Sequence, residues 1–323
     1  MSHLRIVATA EVPPVARRAF EPLGEIVVDP GDATAEVLIV RGTPLDAEAL
    51  ARLGDLRAIA RTGAGYDNLD VEAATALGIP IVYAPDVGSQ PVAEGTVALL
   101  LAAAKRLREL GDIVRDDRWA DRYDVVPLDI EGACLGVIGF GSIGRRVARL
   151  CLGLGMEVIA YDPGLDQFAD RSVELVPLEE LLERADAITL HCGLTGATRG
   201  LVDRRLLARV KPGAILVNVA RGEIVESEDA LADALATGLL SAVALDVFPA
   251  EPPDPAHRLY ADPRAICTSH SVGLSVRWNE EVFGSLARDV GALLDGDRPV
   301  HLLNPEALTG PRGPADRRQR RFA

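Results

Sequence analysis

The chain has few of the residues that would stabilise a fold by disulfides or metal. Its 323 residues contain only four cysteines, Cys134, Cys151, Cys192 and Cys267, and no two of them form a CxxC pair. Their neighbours are mostly apolar, which is typical of reduced, buried thiols in a cytosolic protein. Cysteine spacing therefore favours neither a zinc site nor a disulfide framework, and a chain of this length can fold without either.

Long hydrophobic runs are also missing. The longest, VALLLAAA before Lys105, is far shorter than the roughly 20 residues that cross a bilayer. The segment LRIVATA is followed closely by the charged segment VARRAFEPLGE, so we expect no signal peptide. Together with the cysteine pattern, this predicts a cytoplasmic protein.

Positive charge is in deficit. Lysine and arginine number 34 against 48 aspartates and glutamates, which gives a formal net charge of −14. An acidic protein repels nucleic acid and anionic membranes, so we expect neither as a partner. The exception is the C-terminal stretch 309–323, for which we expect a solvated, frayed tail, with a partner-binding role as the alternative. Its charges are Arg312, Arg317, Arg318, Arg320 and Arg321 against Asp316.

The order of apolar segments predicts α/β architecture. A hydrophobic content of 48% and a charged content of 25% are typical of a globular protein, and at roughly 150 residues per domain the length predicts two domains. Apolar strands alternate with helices from the start of the chain, which predicts parallel sheets covered on both faces. The first strands are LRIVATA, EIVVDP, EVLIVRG, LRAIARTG and IPIVYAP.

A second α/β series begins after a long helix predicted over 91–115. Its strands are CLGVIGFG, EVIAYDP, AITLHC, AILVNVA, AVALDVF and AICTSH. A further helix near 277–295 is placed to return the chain to the first domain. We therefore predict a discontinuous domain formed by 1–98 and 283–308, with a second domain over 99–282 inserted into it.

The second series opens with a glycine motif that is typical of dinucleotide binding. The strand ending at Ile138 leads into GFGSIG, in which Gly139 permits a tight turn, Gly141 admits a pyrophosphate and Gly144 allows the helix to pack on the strand. The helix that follows directs free N–H groups at the phosphates. Three glycines in a turn are common, so the motif needs support from its context.

That support comes from the next strand, which ends in Asp162, eighteen residues after Gly144. An acid at this position accepts hydrogen bonds from a ribose 2′-hydroxyl and repels a 2′-phosphate. The pattern therefore predicts a Rossmann domain that prefers NAD to NADP. Arg171, a few residues further on, is the one residue that leaves NADP open.

Polar residues that could perform redox chemistry follow several strands of the second series. Ligands of parallel sheets bind at the carboxyl ends of strands, and those positions hold His191, Arg221, Asp246, Glu251 and His270. Reduction of a carbonyl by hydride needs a proton donor, for which histidine is suited, and a nearby carboxylate favours the imidazolium. An arginine binds a substrate carboxylate through two N–H groups. The pattern does not choose between His191 and His270.

Seven motifs, in order, resemble the D-isomer-specific 2-hydroxyacid dehydrogenases. They span about Val37 to Pro305, and the 3-phosphoglycerate dehydrogenase type is the most similar in look. The motifs are RTGAGYDNLD, PVAEGTVALLLA, GFGSIG, HCGLT, VNVARGEIV, ALDVFPAEPP and TSHSVG. The resemblance implies an NAD-dependent oxidoreductase that forms a homodimer and binds a small 2-oxo or 2-hydroxy acid in the cleft between its domains.

The resemblance also implies a role for individual residues. His270 would be the acid and base, Glu251 its partner and Arg221 the substrate anchor. The backbone of Ala64 and Gly65 would hold the substrate carboxylate. Arg41 is the candidate for a second anionic group such as a phosphate. The implied cofactor-binding residues are Gly139, Gly141, Ser142, Ile143, Gly144, Asp162, Val219, Ala220, Asp246 and Gly273.

Four positions depart from the family pattern. Ser269 and Gly193 stand where prolines are usual, Gly95 where a histidine is common, and Gly88 where phosphoglycerate-type members place an asparagine near the substrate. The catalytic set is intact, so these departures leave the substrate open: phosphoglycerate, glyoxylate, hydroxypyruvate or a phosphonate 2-oxo acid. The alternative from another class is an NAD-sensing protein similar to the C-terminal-binding corepressors.

Overall fold

The structure, a computed structural model, describes residues 4–165 and 172–313. The strands are β1 Ile6–Ala8, β2 Ile26–Val28, β3 Val37–Val40, β4 Ala58–Arg61, β5 Ile81–Val82, β6 Cys134–Ile138, β7 Glu157–Tyr161, β8 Val173–Leu175, β9 Ala187–Leu190, β10 Ala214–Asn218, β11 Leu240–Leu245 and β12 Ala265–Cys267. The α-helices are α1 Pro14–Phe20, α2 Ala47–Arg52, α3 Val71–Leu77, α4 Ser89–Ala104, α5 Leu107–Arg115, α6 Ser142–Gly153, α7 Leu178–Arg184, α8 Arg204–Leu207, α9 Glu228–Ala236, α10 Arg258–Ala261 and α11 Val276–Asp295. Short 3₁₀ helices cover Trp119–Tyr123, Gly222–Ile224 and Pro305–Thr309.

The chain forms two compact units. Among the described residues, one comprises those up to Gly88 together with those from Leu274, and the other comprises those between Ser89 and Gly273. The division falls about ten residues before each boundary that the sequence suggested, at 99 and 283. The α/β class with two parallel sheets is confirmed. We call the two parts the split unit and the inserted unit.

The split unit has a five-stranded parallel sheet in the order β2-β1-β3-β4-β5. Alternate residues of β3 face opposite sides: Val37 and Ile39 join the core under α1 and α11, and Leu38 and Val40 join the core under α2 and α3. This alternation follows from the two-residue period of a strand. The predicted return helix is α11, which packs against α1 in this unit.

The inserted unit has a seven-stranded parallel sheet in the order β12-β11-β10-β9-β6-β7-β8. Chain order reverses beside β6: β7 lies on one side of it and β9 on the other. Helices α4 and α6 pack together on one face. In open sheets of this kind the carboxyl ends of the strands at the reversal form the ligand-binding crevice.

The long helix predicted over 91–115 is wrong as one element, because it is interrupted. Helix α4 ends at Ala104, where the apolar run stops, and Arg106 takes a left-handed backbone angle (φ 51°) before α5 begins. The carbonyl of Ala104 accepts a hydrogen bond from the backbone N–H of Leu128 at 2.8 Å. This hydrogen bond from the chain after α5 satisfies the Ala104 carbonyl, which in a continuous helix would accept a bond from the following turn.

Residues 309–313 do not form the frayed tail that the sequence predicted. Thr309 belongs to the last 3₁₀ helix, and Arg312 donates a hydrogen bond from Nη1 to the Leu53 carbonyl at 2.8 Å. Residues 309–313 therefore pack on the split unit, while the remainder of the arginine-rich stretch lies outside the described residues.

The described ranges hold neither a membrane span nor a metal cluster. There, no helix combines the length and the apolar character needed to span a membrane. In the same ranges, no group of three or more His, Cys, Asp or Glu side chains is placed to hold a metal ion. All four cysteines are free thiols, but only Cys151 is fully buried. The expected burial is wrong for Cys267, which is exposed.

Candidate functional site

The glycine loop between β6 and α6 is built so closely that side chains would not fit. Gly139 has φ 91°, which disfavours residues with a Cβ, and a Cβ there would lie 2.5 Å from the backbone nitrogen of Cys192. A Cβ on Gly144 would lie 2.2 Å from the Gly139 carbonyl oxygen. At Gly141, by contrast, the space is open: apart from the adjacent residues, no heavy atom of the described residues lies within 4 Å of its Cβ position. A tight turn with an open middle glycine fits a pyrophosphate at the helix N-terminus.

Asp162 lies beside this loop at the carboxyl end of β7. Its Oδ2 accepts a hydrogen bond from the Phe140 backbone N–H at 2.8 Å, and its Oδ1 accepts one from Gly164 at 2.9 Å. These bonds orient the carboxylate next to the glycine loop. Arg171, which the sequence marked as a route to NADP, lies outside the described residues.

His270 and Glu251 form a pair. His270 Nδ1 lies 2.8 Å from Glu251 Oε2 and 3.1 Å from Oε1, and Oε1 also accepts a hydrogen bond from the Phe248 N–H at 3.1 Å. Burial raises the pKa of Glu251, but the hydrogen bond and charge of His270 outweigh it, so this pKa lies below its usual range. The pairing through Nδ1 leaves Nε2 as the nitrogen that can exchange a proton.

His270 is held in an uncommon backbone conformation, with φ 53°. Non-glycine residues rarely adopt such angles, which occur where the surroundings enforce them. The surroundings here centre on the buried carboxylate of Asp246. Its Oδ1 accepts hydrogen bonds from Thr268 Oγ1 at 2.6 Å and from the Ser271 N–H at 2.9 Å, and its Oδ2 lies 3.3 Å from the Val272 nitrogen. Asp246 thus orients the loop that carries His270.

Arg221 follows β10 and is positioned by Asn218, which the sequence did not indicate. The Asn218 side chain is 1% exposed. Its Nδ2 donates to the Arg221 carbonyl at 2.9 Å, and its Oδ1 accepts from the Ala220 N–H at 3.1 Å. The charge of Arg221 also lowers the pKa of Glu251, so the two side chains lie within electrostatic range. In the sequence, Asn218 could have been recognised as a polar residue at the end of an otherwise apolar strand.

The loops bearing Arg221 and Glu251 interlock at Gly222. A Cβ on Gly222 would lie 2.0 Å from the Phe248 carbonyl carbon and 2.2 Å from the Pro249 nitrogen. Only a glycine allows this approach. Since the Phe248 N–H holds Glu251, Gly222 links the placement of the arginine to that of the carboxylate.

His191, the other candidate from the sequence, has different surroundings. Both of its ring nitrogens are buried, and neither has a hydrogen-bond partner among the described residues. Burial lowers the pKa of His191 to about 3, so the ring is neutral near neutral pH. It therefore lacks the carboxylate pairing that His270 has.

This burial makes His191 a source of acid sensitivity. An exposed histidine has a pKa of about 6.5, so between that pH and about 3 the unfolded chain binds a proton that the folded chain does not. The contribution of the neutral His191 ring to the free energy of unfolding therefore decreases as the pH is lowered through this window, by roughly 1.4 kcal/mol per pH unit. From pH 7 to pH 5 we expect the wild type to lose about 2 kcal/mol more than His191→Gln, measured by urea unfolding. Equal losses in the two proteins would contradict this origin.

The remaining cofactor candidates also lie in the inserted unit. Val219 and Ala220 follow the carboxyl end of β10, and Ser142 and Ile143 form the first turn of α6. A Cβ on Gly273 would lie 2.6 Å from Val92 Cγ2, so this position is closely packed.

The substrate candidates Arg41, Ala64 and Gly65 lie in the split unit. Arg41 follows β3, beside the reversal of strand order between β1 and β3. It is partly buried, its Nη1 donates to the Glu11 carbonyl at 2.7 Å, and burial lowers its pKa. Ala64 and Gly65 lie in the loop that follows β4.

Two departures from the family pattern are explained by a neighbouring side chain. A Cβ on Gly88 would lie 3.2 Å from Trp278 Nε1, so the indole of Trp278 occupies the space beside this glycine. A Cβ on Gly95 would lie 2.5 Å from Val272 Cβ, so Val272 fills the corresponding space in the inserted unit. In the described ranges, only the chain neighbours of Gly193 come within 4 Å of its Cβ position, so no side chain explains this departure.

A parallel sheet with a glycine loop at its reversal and an acid after the next strand defines the class of Rossmann dinucleotide-binding proteins. Residues 97–272 match the family model described as D-isomer specific 2-hydroxyacid dehydrogenase, NAD binding domain. The chain belongs to the D-isomer specific 2-hydroxyacid dehydrogenase family, and its cofactor is NAD.

Similar proteins include enzymes with different names. D-3-phosphoglycerate dehydrogenase of Methanocaldococcus jannaschii is 38% identical over 93% of this chain and 59% of its own length. Glyoxylate reductase of Korarchaeum cryptofilum is 36% identical over 82% of this chain and 81% of its own. The crystal structure of the TT0316 protein from Thermus thermophilus has 34% identity and a TM-score of 0.86, covering 93% of this chain and all of that one. The chain spans 42% to 59% of the lengths of the phosphoglycerate dehydrogenases it matches.

Proposed function

We propose that the protein is an NAD-dependent D-2-hydroxyacid dehydrogenase. The observation that carries this proposal is the His270–Glu251 pair, with 2.8 Å between Nδ1 and Oε2, beside Arg221 on the NAD-binding unit. Bound NAD would supply or accept the hydride that is exchanged at C2 of a small 2-oxo or 2-hydroxy acid. The side chains of this chain then need only bind the acid and move one proton.

Each catalytic residue has one task in this proposal. His270 gives a proton from Nε2 to the oxygen on C2 during reduction and takes it back during oxidation. Glu251, bonded to Nδ1, orients the ring so that Nε2 faces the substrate. Arg221 binds the substrate carboxylate and polarises the adjacent carbonyl.

The cofactor would be held by residues at the carboxyl edge of the seven-stranded sheet. We assign the pyrophosphate to the glycine loop and the adenine ribose to Asp162, which is already oriented by Phe140 and Gly164. Asp246 would face the nicotinamide, although its oxygens also hold the His270 loop. The proposed set is Gly139, Gly141, Ser142, Ile143, Gly144, Asp162, Val219, Ala220, Asp246 and Gly273.

For the substrate we propose a 2-oxo or 2-hydroxy acid with a second anionic group. Arg41 supports this, because a partly buried guanidinium at the carboxyl edge of a sheet is suited to an anion. Ala64 and Gly65 would bind the carboxylate through their backbone. Phosphoglycerate and a phosphonate analogue fit this description. Glyoxylate and hydroxypyruvate, which lack a second anion, are the alternatives, and a similar protein named glyoxylate reductase supports them.

Oxidation of NADH over a panel of 2-oxo acids, with and without a phosphate or phosphonate group, tests both proposals. The wild type should reduce at least one of them, and Arg41→Ala should raise KM by about tenfold or more only for the doubly anionic acids, because a charge-assisted hydrogen bond is lost. Arg52→Ala, which changes an exposed arginine of the same unit, is the matched control.

The outcomes of this assay are distinct. An equal loss on all acids would remove the anion role of Arg41. An absence of turnover on every acid, together with tight NADH binding, would favour the corepressor-like alternative.

We also propose a cytoplasmic homodimer. Free thiols support a reducing compartment. Residues 107–126 of the inserted unit support a protein interface, because five large apolar side chains there are 56% to 74% exposed. They are Leu107, Val114, Trp119, Tyr123 and Val126.

A further inference from the structure

Arg146, in the second turn of α6, carries a positive charge that is not part of the glycine motif. Helical side chains point back towards the helix N-terminus. Accordingly, Arg146 reaches the first residue of the helix: its Nη1 donates to Ser142 Oγ at 2.6 Å and to the Ser142 carbonyl at 2.9 Å. The guanidinium therefore lies beside the hydroxyl of Ser142, the residue that follows Gly141 in the glycine loop.

The neighbouring arginine, Arg145, has another task. Its Nε donates to the Phe140 carbonyl at 2.8 Å, and its guanidinium lies 5.8 Å from the centre of the Phe140 ring. It therefore braces the glycine loop. Arg149, further along the same helix, is exposed and lies away from the first turn.

The surroundings of Arg146 favour an anion. The first turn of α6 contains no acidic residue, and in the described part of the chain no carboxylate forms an ion pair with Arg146. The nearby Asp162 is bonded to backbone N–H groups of Phe140 and Gly164 instead. Elsewhere in this acidic protein arginines pair with carboxylates, as Arg184 does with Glu174 and Glu180.

We propose that Arg146 binds the pyrophosphate of the dinucleotide and supplies the positive charge that the backbone N–H groups of the glycine loop lack. Ser142 Oγ holds the guanidinium at the phosphate position. The proposal rests on NAD binding by this unit and not on the identity of the acid substrate. A contact between Arg146 and the pyrophosphate makes cofactor affinity depend on salt, because ions screen the attraction between a guanidinium and a partly exposed pyrophosphate.

Equilibrium binding measured by NADH fluorescence tests the proposal without any turnover. Arg146→Gln should weaken NADH and ADP binding by about tenfold to a hundredfold, the range expected for loss of a charged hydrogen-bond partner. Adenosine, which has no phosphate and is followed by its competition with NADH, should bind the wild type and the variant equally. Arg146→Lys keeps the charge and should retain most of the affinity, and Arg149→Gln is the matched control.

Salt provides a second readout. Raising the salt concentration should weaken NADH binding to the wild type more than to Arg146→Gln. NADH affinity of Arg146→Gln within twofold of the wild type would overturn the proposal. So would an equal loss for adenosine, which would show that the substitution had damaged the site as a whole. Failure of turnover with NADH affinity and its Arg146 dependence intact would count against the dehydrogenase proposal alone.

Discussion

His270→Asn lowers turnover by a factor on the order of 10² to 10⁴, because proton transfer to the substrate oxygen loses its donor. Asparagine is the informative replacement, since it tolerates the left-handed backbone of residue 270 (φ 53°) better than most residues. His270→Ala should show a similar loss. The measurement is steady-state NADH oxidation on the best 2-oxo acid of the wild type, with NADH affinity determined separately.

NADH affinity should stay within about twofold of the wild type in His270→Asn, since the role assigned to this ring is proton transfer and not cofactor binding. His257→Asn is the matched control: His257 lies in the same unit but pairs with Asp229 at 3.5 Å. Near-normal turnover in His270→Asn would refute the assignment of the acid and base. A large loss in His257→Asn would show that the assay reports general damage.

Gly222→Ala should abolish most of the activity although it touches neither substrate nor cofactor. The added Cβ would lie 2.0 Å from the Phe248 carbonyl carbon, so the loops that carry Arg221 and Glu251 must move apart. A misplacement of about 1 Å in such a site reduces turnover by roughly 10²-fold. Overpacking of this kind also lowers the free energy of unfolding by about 1–3 kcal/mol. Turnover at saturating NADH and urea unfolding measure the two effects.

Gly196→Ala is the control for this substitution, because the Cβ position of Gly196 has no heavy atom within 4 Å. It should leave turnover and stability close to the wild type. If Gly222→Ala kept more than about a third of the wild-type turnover, the close contact with Phe248 would not govern the alignment of Arg221 and Glu251.

Local sequence was sufficient for the architecture and for the cofactor. The glycines of GFGSIG and the acid eighteen residues later lie in one strand-helix-strand unit, so their spacing alone predicts that they meet. The two-residue alternation and the apolar strands likewise predict parallel sheets. The interruption between α4 and α5 was not predictable in this way, because the partner of the Ala104 carbonyl, Leu128, lies far along the chain.

The chemical choice at the strand ends depended on tertiary contacts. His191 and His270 follow their strands in similar ways, and only the structure shows that the ring nitrogens of His191 are buried and that His270 lies 2.8 Å from Glu251. Asp246 is equally ambiguous in sequence, and its bonds to Thr268 and Ser271 reveal that it orients a loop. These contacts join residues 19 to 25 positions apart that lie in irregular loops, where spacing does not predict which side chains meet.

The sequence by itself determined which residues could do redox chemistry, since residue type and strand-end position are local properties. The tertiary structure decided which of them lie in contact. Pairing, burial and charge depend on distances between loops that follow different strands, and those distances exist only once the sheet has formed. For the same reason, Trp278 explains the glycine at position 88 only after α11 has packed on the split unit.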